Sequence, residues 1–455
     1  MRHILTTTLL CATLWWMQAQ NDLNSLVLTD SWQQLQTNPA LQPEGLLVGL
    51  PGLYANSWWT NITYNDIVTT QGGNTFIDVD AAIAQLGDNN ILRQDLDLET
   101  IGLGFHIGKI GLHLGHRVRF NAVVDYPKTL AQLIWQGNAQ FIGQTIDFAP
   151  AFDMIAYHEI SAGVSLPIGE NIHIGGRVKL LSGTASLQTE RNRLELTTSD
   201  DIYQLEMLAD YRINSAGTLI YNGLREDVQV DINGDDILSG AIFGENTGLA
   251  FDAGISAQFG KLQLAASAVD IGASIEWKTD VKNYTLDGVY AYEGLDVAQA
   301  LLDGEEELGS VLDSLYNTYE PVETSTGYTT RIGGKYFFSG QYEVSDEITV
   351  GVVGYSDSYR HINSQAVALT GSVVLAPWLK AGMLWGLRNE RLDNVGAHAV
   401  VKLGPCSVIV SHGQCHHGIP AKGCPFSQLP FGAKPVLRPR KESMGEPSGD
   451  GRQFF

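Results

Sequence analysis

The chain has 455 residues, with 50 acidic and 28 basic side chains, a net charge of −22 and four cysteines. That acidic balance argues against nucleic acid as a partner, because phosphate binding needs clustered Lys and Arg. No stretch approaches the roughly 18 consecutive apolar residues of a membrane helix. There is also no Gly-Lys-Ser/Thr phosphate loop, G-x-S-x-G elbow or H-E-x-x-H helix. No catalytic residue, cofactor or metal is therefore assigned, and the chain is not expected to be an enzyme.

Residues 1–20 read as a signal peptide: Arg2 and His3 precede an apolar core, Ile4 to Trp16, and Met17-Gln18-Ala19-Gln20 offers a cleavage site. Cys11 falls within that core. Residues 21–44 form a lead in which Pro39 and Pro43 prevent continuous pairing. Gly45 to Leu50 is strand-like, Pro51-Gly52 is a turn, and Leu53 to Tyr64 carries Tyr54, Trp58, Trp59 and Tyr64, the residues of an aromatic girdle. Asp78 to Leu86 is an amphipathic helix in a loop.

A hairpin follows. Ile101-Gly102-Leu103-Gly104-Phe105-His106-Ile107 turns at Gly108-Lys109 and returns as Ile110 to Phe120, with one apolar face and one face of Gly, His and Arg. Period two means strand. Pro127 to Trp135 reads as helical. Strand patterns then recur at Tyr157 to Leu181 (a hairpin), Leu194 to Thr197, Tyr203 to Ile213, Leu249 to Phe259 and Leu262 to Val269. Leu295 to Leu315 has helical spacing. Strands resume at Tyr328 to Phe338, Ile348 to Tyr355, Gln365 to Leu375, Trp378 to Arg388 and Val395 to Leu403. Turns alternate between very short and long. Behind a secretory signal, this pattern predicts an all-β protein: a transmembrane antiparallel β-barrel of about 14 strands over residues 45–404, apolar side out.

Charged residues on the polar faces are the functional candidates. Arg117, Arg119, Arg177 and Lys179 all face inward if the apolar faces meet lipid, either paired with interior acids or lining a solute path with His113. His106, His173 and His398 also fall on small or polar faces, where a histidine is solvated or hydrogen-bonded. In Tyr157-His158-Glu159 adjacent residues face opposite ways, which weakens a catalytic reading. Asp231 to Asp236 resembles a calcium loop with its Gly misplaced, so it reads as an acidic turn.

Residues 405–455 change character: Cys406, Cys415 and Cys424, three histidines, seven prolines and a basic cluster. The spacing fits no common zinc finger. The segment reads as an aberrant, disordered tail, the product of a shifted reading frame, unable to supply a closing strand.

Asn38-Pro39-Ala40 followed by Gly-rich strands resembles the long-chain fatty-acid transporter (FadL-like) superfamily of outer-membrane barrels. The stretches Tyr126-Pro127-Lys128 to Gln136-Gly137-Asn138, Gly176 to Gly183 and Leu196-Thr197-Thr198 are similar to an uncharacterised family of such barrels from Bacteroidetes. The resemblance implies an outer-membrane location, Asn38, Pro39 and Ala40 as part of an internal plug, and a hydrophobic or amphiphilic small molecule as the partner bound or passed. Outer-membrane lipid and the barrel-assembly machinery are the other expected partners. Two alternatives are a non-transporting barrel that docks secretion or surface-assembly partners, and a soluble exported β-protein.

Overall fold

Alternation along the chain is converted almost entirely into antiparallel ladder. The computed structural model describes residues 23, 25–28, 31–42, 46–61, 68–71, 74–200, 204–218, 244–292, 321–360, 362–388, 391–403 and 406–415. Its strands are β1 (Leu47–Gly49), β2 (Gly52–Trp59), β3 (Val68–Gln71), β4 (Asn74–Ile77), β5 (Asn89–Ile107), β6 (Ile110–Pro127), β7 (Gln144–Asp147), β8 (Ala151–Ile168), β9 (Ile172–Thr198), β10 (Leu205–Gly217), β11 (Thr247–Phe259), β12 (Leu262–Trp277), β13 (Val281–Tyr292), β14 (Val322–Thr324), β15 (Tyr328–Arg331), β16 (Lys335–Glu343), β17 (Ile348–Tyr359), β18 (Ile362–Ala376), β19 (Leu379–Arg388), β20 (Arg391–Leu403) and β21 (Cys406–Cys415). Helices α1 (Trp32–Thr37), α2 (Val79–Gln85) and α3 (Lys128–Gln136) accompany them. Asp78 caps α2 by accepting from Ala81 N at 3.0 Å. Pro127 before α3 and left-handed Gly137 after it bracket that helix.

All strands except β3 and β4 share one sheet. Its main wall runs β1/β2, β5, β6, β8, β9, β11, β12, β15/β16, β17, β18, β19, β20, β21, each step antiparallel. β9 forks the wall. Its first part, to Ser182, pairs with β11, and the part from Ala185 onward pairs with β10, which carries β13 and β14. The hairpin turns at Gly108 and Gly260 use the positive φ that glycine adopts without a Cβ clash.

The wall curls. β5 and β17 are seven ladder steps apart along it, roughly 34 Å at the usual strand spacing. Yet Arg93 Nη2 on β5 lies 2.6 Å from Asp357 Oδ2 on β17. One face is therefore an interior. Asp95, Asn121, Glu159, Lys179 and Asp252 are buried there. The other face exposes Ile101, Ile110 and Leu114, as the alternation predicts, and half-exposes Leu103, Phe105, Leu112 and Phe120. Val118 departs from this: it is 6% exposed, beside its ladder partner His158 at 1%, so the outer face is covered at that level. His116 also sits on the outer side, with Nε2 3.2 Å from His158 Nδ1.

Several expectations are corrected. The tail is not devoid of structure: β21 pairs with β20 through ten consecutive positions, because Cys406 to Cys415 lies between Pro405 and Pro420 and holds no charged residue. Leu194 to Thr197 is the end of the 27-residue β9, not a separate strand. Tyr328 to Phe338 is broken into β15 and β16. β5 begins at Asn89, twelve residues before the alternation becomes clean. Tyr54 is buried inside, and Trp58 packs on Val123, Tyr359 and Ile362, so these two form no outer girdle. The signal peptide, Tyr64, Asp231 to Asp236, Leu295 to Leu315 and everything after Cys415 lie outside the described residues.

Among the described residues no pairing joins β21 to β1 or β2. Twelve antiparallel steps leave those two edges running in the same direction, so an antiparallel ring needs one more strand. A chain ending at Leu403 should expose the β20 edge. Trypsin should then cut it at Arg391 and Lys402, while a chain ending after Cys415 resists; equal cutting of both would show that β21 does not pair in solution.

Candidate functional site

The interior is filled by a charged network, and below it by the N-terminal segment. Arg117 and Arg119 project from β6, Glu159 from β8, Arg177 and Lys179 from β9, Asp252 from β11 and Asp270 from β12. Lys179 is fully buried, with Nζ 2.6 Å from Asp270 Oδ1, 2.8 Å from Asp252 Oδ1 and 3.8 Å from Glu159. Arg119 Nη1 reaches Asp270 at 2.9 Å and Glu159 at 3.2 Å, and its Nε reaches Asp97 at 3.3 Å. Its guanidinium lies 5.5 Å from the centre of the Tyr157 ring. Arg117 donates to Glu159 at 2.9 Å. All four cations named from the sequence are thus brought to acids, as one of the two sequence readings expected; it did not say which acids, and of the partners Asp97, Glu159, Asp252 and Asp270 it had not singled out Asp97 or Asp270. Among the described residues, no group of His, Cys, Asp and Glu has the arrangement of a metal site.

Asp270 reaches the network through a defect in the wall. Interior residues of β12 fall at odd positions, from Ser267 and Val269 to Ala273, Ile275 and Trp277. The β11–β12 register shifts twice between Leu249 and Ala253, and Asp270 and Gly272 both have left-handed backbones. This bulge turns Asp270 inward and Ile271 outward, as bulges do. On the other side the ladder is interrupted between β15 and β16. A cavity of about 310 Å³ occupies the gap, lined by Ile271, Ala273, Arg331, Ile332 and Tyr336 among others.

Arg177 links the network to the N-terminal segment. Its Nη1 lies 3.5 Å from Asp252 and donates to Gln36 Oε1 at 3.2 Å, and its Nη2 donates to Leu35 O. His113 lies apart from the other candidates, with Nε2 3.2 Å from Pro39 O. Asn38 Nδ2 donates to Ile255 O at 3.1 Å and Ala266 O at 3.2 Å, bridging β11 and β12, while Asn38 Oδ1 accepts from Ala40 N at 2.8 Å. Ala40 is fully buried and its carbonyl accepts from Ser256. The segment from Thr37 to Gln42 lies along a row that crosses five adjacent strands, Gly111, Ser165, Gly175, Gly254 and Ser267: Ser267 donates to Thr37 O, Gly254 faces Asn38, Gly175 faces Pro39 and Gly111 faces Gln42. A Cβ on Gly175 would lie 2.2 Å from Pro39 backbone atoms.

Trp32 has its own trough. Gly49, Gly102 and Gly115 are ladder partners in one row, and the indole lies against them, 2.1 Å from where a Cβ of Gly102 would stand. Further up the chain, Leu23, Leu26 and Val27 pack on Phe337, Val353, Tyr355 and Leu384. The interior therefore has an ionic side on β5–β12 and an apolar side on β16–β19.

Two outcomes follow. Gly102→Ala should destabilise by about 1–3 kcal/mol through overpacking, and most of that penalty should vanish in a Trp32→Ala background, as denaturant midpoints in detergent would show. Lys179→Met removes the cation shared by three buried carboxylates, leaving them only Arg117, Arg119 and Arg177, and should cost about 3–5 kcal/mol, with part recovered on adding Asp270→Asn; a cost under about 1 kcal/mol would mean the network is solvated.

No curated protein sequence matches the chain. Among solved structures it is similar to the toluene transporter TbuX of Ralstonia pickettii at 8% identity, covering 83% of this chain and 79% of that one, with a TM-score of 0.35. It is similar to the toluene transporter TodX of Pseudomonas putida at 10% identity, covering 82% and 80%, TM-score 0.37. It is also similar to the monoaromatic hydrocarbon channel CymD at 11% identity, covering 88% and 94%, TM-score 0.35. A family model described as a family of unknown function, DUF5723, matches residues 39–412, from the Asn-Pro-Ala turn into β21, and the chain belongs to that family.

Proposed function

We propose that this protein is an outer-membrane β-barrel that binds or passes a hydrophobic or amphiphilic small molecule. The observation that carries the reading is the inversion of polarity. The wall exposes Ile101, Leu114, Phe251, Ile255, Leu369 and Trp385 outward, while Arg119, Lys179, Glu159 and Asp270 are buried within. Water would reward the opposite arrangement; lipid rewards this one. The apolar interior side and the cavity beside Ile271 and Ile332 support an apolar solute. Asn38, Pro39 and Ala40 act as the seat of an internal plug, and the barrel-assembly machinery completes the wall in the membrane.

A second reading rests on β9. A membrane strand needs roughly 9–11 residues, and β9 has 27. Its surplus, with β7, β10, β13 and β14, projects as a sheet laced by Arg191–Asp210 and Arg212–Glu190 ion pairs, a surface suited to docking a secretion or assembly partner.

Fractionation should find the protein in the outer membrane, migrating differently on a gel before and after boiling; recovery in the soluble periplasm would overturn the reading. Leu114→Arg separates the two environments by magnitude. Leu114 is 49% exposed, so in water the change should stay within about 0.5 kcal/mol, whereas near the bilayer midplane it should cost about 2–4 kcal/mol. Co-purifying apolar ligand in native mass spectrometry favours the first reading, co-purifying protein without ligand the second.

A further inference from the structure

The N-terminal segment occupies the apolar side of the interior in the manner of a ligand. Leu23, Leu26 and Val27 pack on Phe337, Val353, Tyr355 and Leu384, where the Phe337 and Tyr355 ring centres lie 5.5 Å apart. The polar contact of this patch is made to backbone. Leu26 O, in a turn, accepts from Gln341 Nε2 at 3.0 Å and from Gln34 Nε2, within the segment, at 3.5 Å. Gln341 belongs to the wall, on β16, and is 5% exposed. Its ladder partner on β17 is Gly351, where a Cβ would stand 3.2 Å from Gln341 Cγ, so the missing side chain makes room for the amide stem.

The surroundings of Gln341 select what else could meet it. Its row reads Gln341, Gly351, Thr370, Leu384 and the adjoining row reads Ser339, Val353, Ala368, Gly386, with no charged residue in either. Two positions along β16, on the same face, stands Glu343. Lifting Leu26 away leaves the Gln341 amide buried without that acceptor, a loss that only a new acceptor makes good. A hydrocarbon restores the apolar contacts alone. A carboxylate brings an acceptor, but its charge must be buried with no cation in these rows and with Glu343 on the same face. An alcohol brings an O–H that needs an acceptor of its own. The carbonyl of an ester replaces Leu26 O like for like.

We propose that this patch binds an uncharged aliphatic ester, with its carbonyl on Gln341 and its chain against Phe337, Val353, Tyr355 and Leu384, and that the turn at Leu26 holds the same place when the ester is absent. The proposal rests on the reading that the interior binds an apolar molecule, and it narrows that reading to one class. Gln341 then sets specificity, and the N-terminal segment is the internal competitor.

Methyl dodecanoate, tridecane and dodecanoate can be presented to the full-length chain in detergent and their occupancies compared by native mass spectrometry. The ester should bind about tenfold tighter than the other two, the scale of one satisfied buried donor. Gln341→Met should lower the ester's affinity by about tenfold and change that of tridecane by less than about threefold. In the unaltered chain, adding the ester should raise amide exchange at positions 25–28 and leave that of β17 unchanged, a result that does not depend on the variant folding. An ester affinity that Gln341→Met leaves unchanged, tighter binding of dodecanoate, or no rise in exchange would overturn the proposal while leaving an apolar-binding interior in place. Failure of all three molecules to bind would overturn that reading as well. Phosphatidylethanolamine, whose acyl esters carry a charged headgroup, should bind more weakly than methyl dodecanoate; equal binding would assign the patch to membrane lipid instead of a free ester.

Discussion

A lysine ammonium with no exposed surface survives only where carboxylates surround it, because the uncompensated ion would cost several kcal/mol. Lys179 has three, and one of them dictates the local wall. A regular β12 would aim position 270 outward. The double register shift and the left-handed residues Asp270 and Gly272 bring it in. A left-handed non-glycine residue costs of order 1–3 kcal/mol, less than a buried ammonium short of a partner. The same bulge opens the cavity beside Ile271 and Ile332, so the electrostatics of the interior and the gap in the wall have a single cause.

The N-terminal segment is bound by the opposite means. No ion pair among the described residues holds Asn38, Pro39 or Ala40. They lie against backbone, and backbone comes near enough only where side chains are missing. The Gly/Ser row across five strands and the Gly49, Gly102 and Gly115 trough under Trp32 are matched to that segment position by position. Glycine in a strand interior is a weakness by itself; here it makes close approach possible for Trp32 and Pro39.

Alternation makes the wall legible in the sequence wherever parity is unbroken. Ile101 to Phe120 and Leu249 to Phe259 could be assigned to faces because nothing interrupts their period. Asp252 falls on the polar face of the second of these, whereas Asp97 and Asp270 were not legible because parity breaks beside them. β5 carries an extra residue at Thr100, so Asp97 and Glu99 point inward although they share the parity of outward Ile101. β9 shifts its register opposite Ala156 and Tyr157, and β12 twice near Asp270. A one-residue shift exchanges the two faces, and a single sequence does not show where it occurs. Ion partners are also remote: Arg93 and Asp357 are 264 positions apart. β21 was hidden by averaging, since the composition of residues 405–455 is dominated by prolines that begin again at Pro420.

The two sides of the interior differ in what an entering molecule would have to displace. On the ionic side, separating Lys179 or Arg119 from its acids costs about 3–5 kcal/mol per broken buried pair, and an apolar solute offers nothing to replace them. On the apolar side, lifting Leu23, Leu26 and Val27 off Val353, Tyr355 and Leu384 costs about 1.5–3 kcal/mol per side chain, and an apolar solute in their place restores most of it. In the proposed function the route therefore follows β16–β19, and the charged network acts as a rigid partition that keeps the other half of the interior closed.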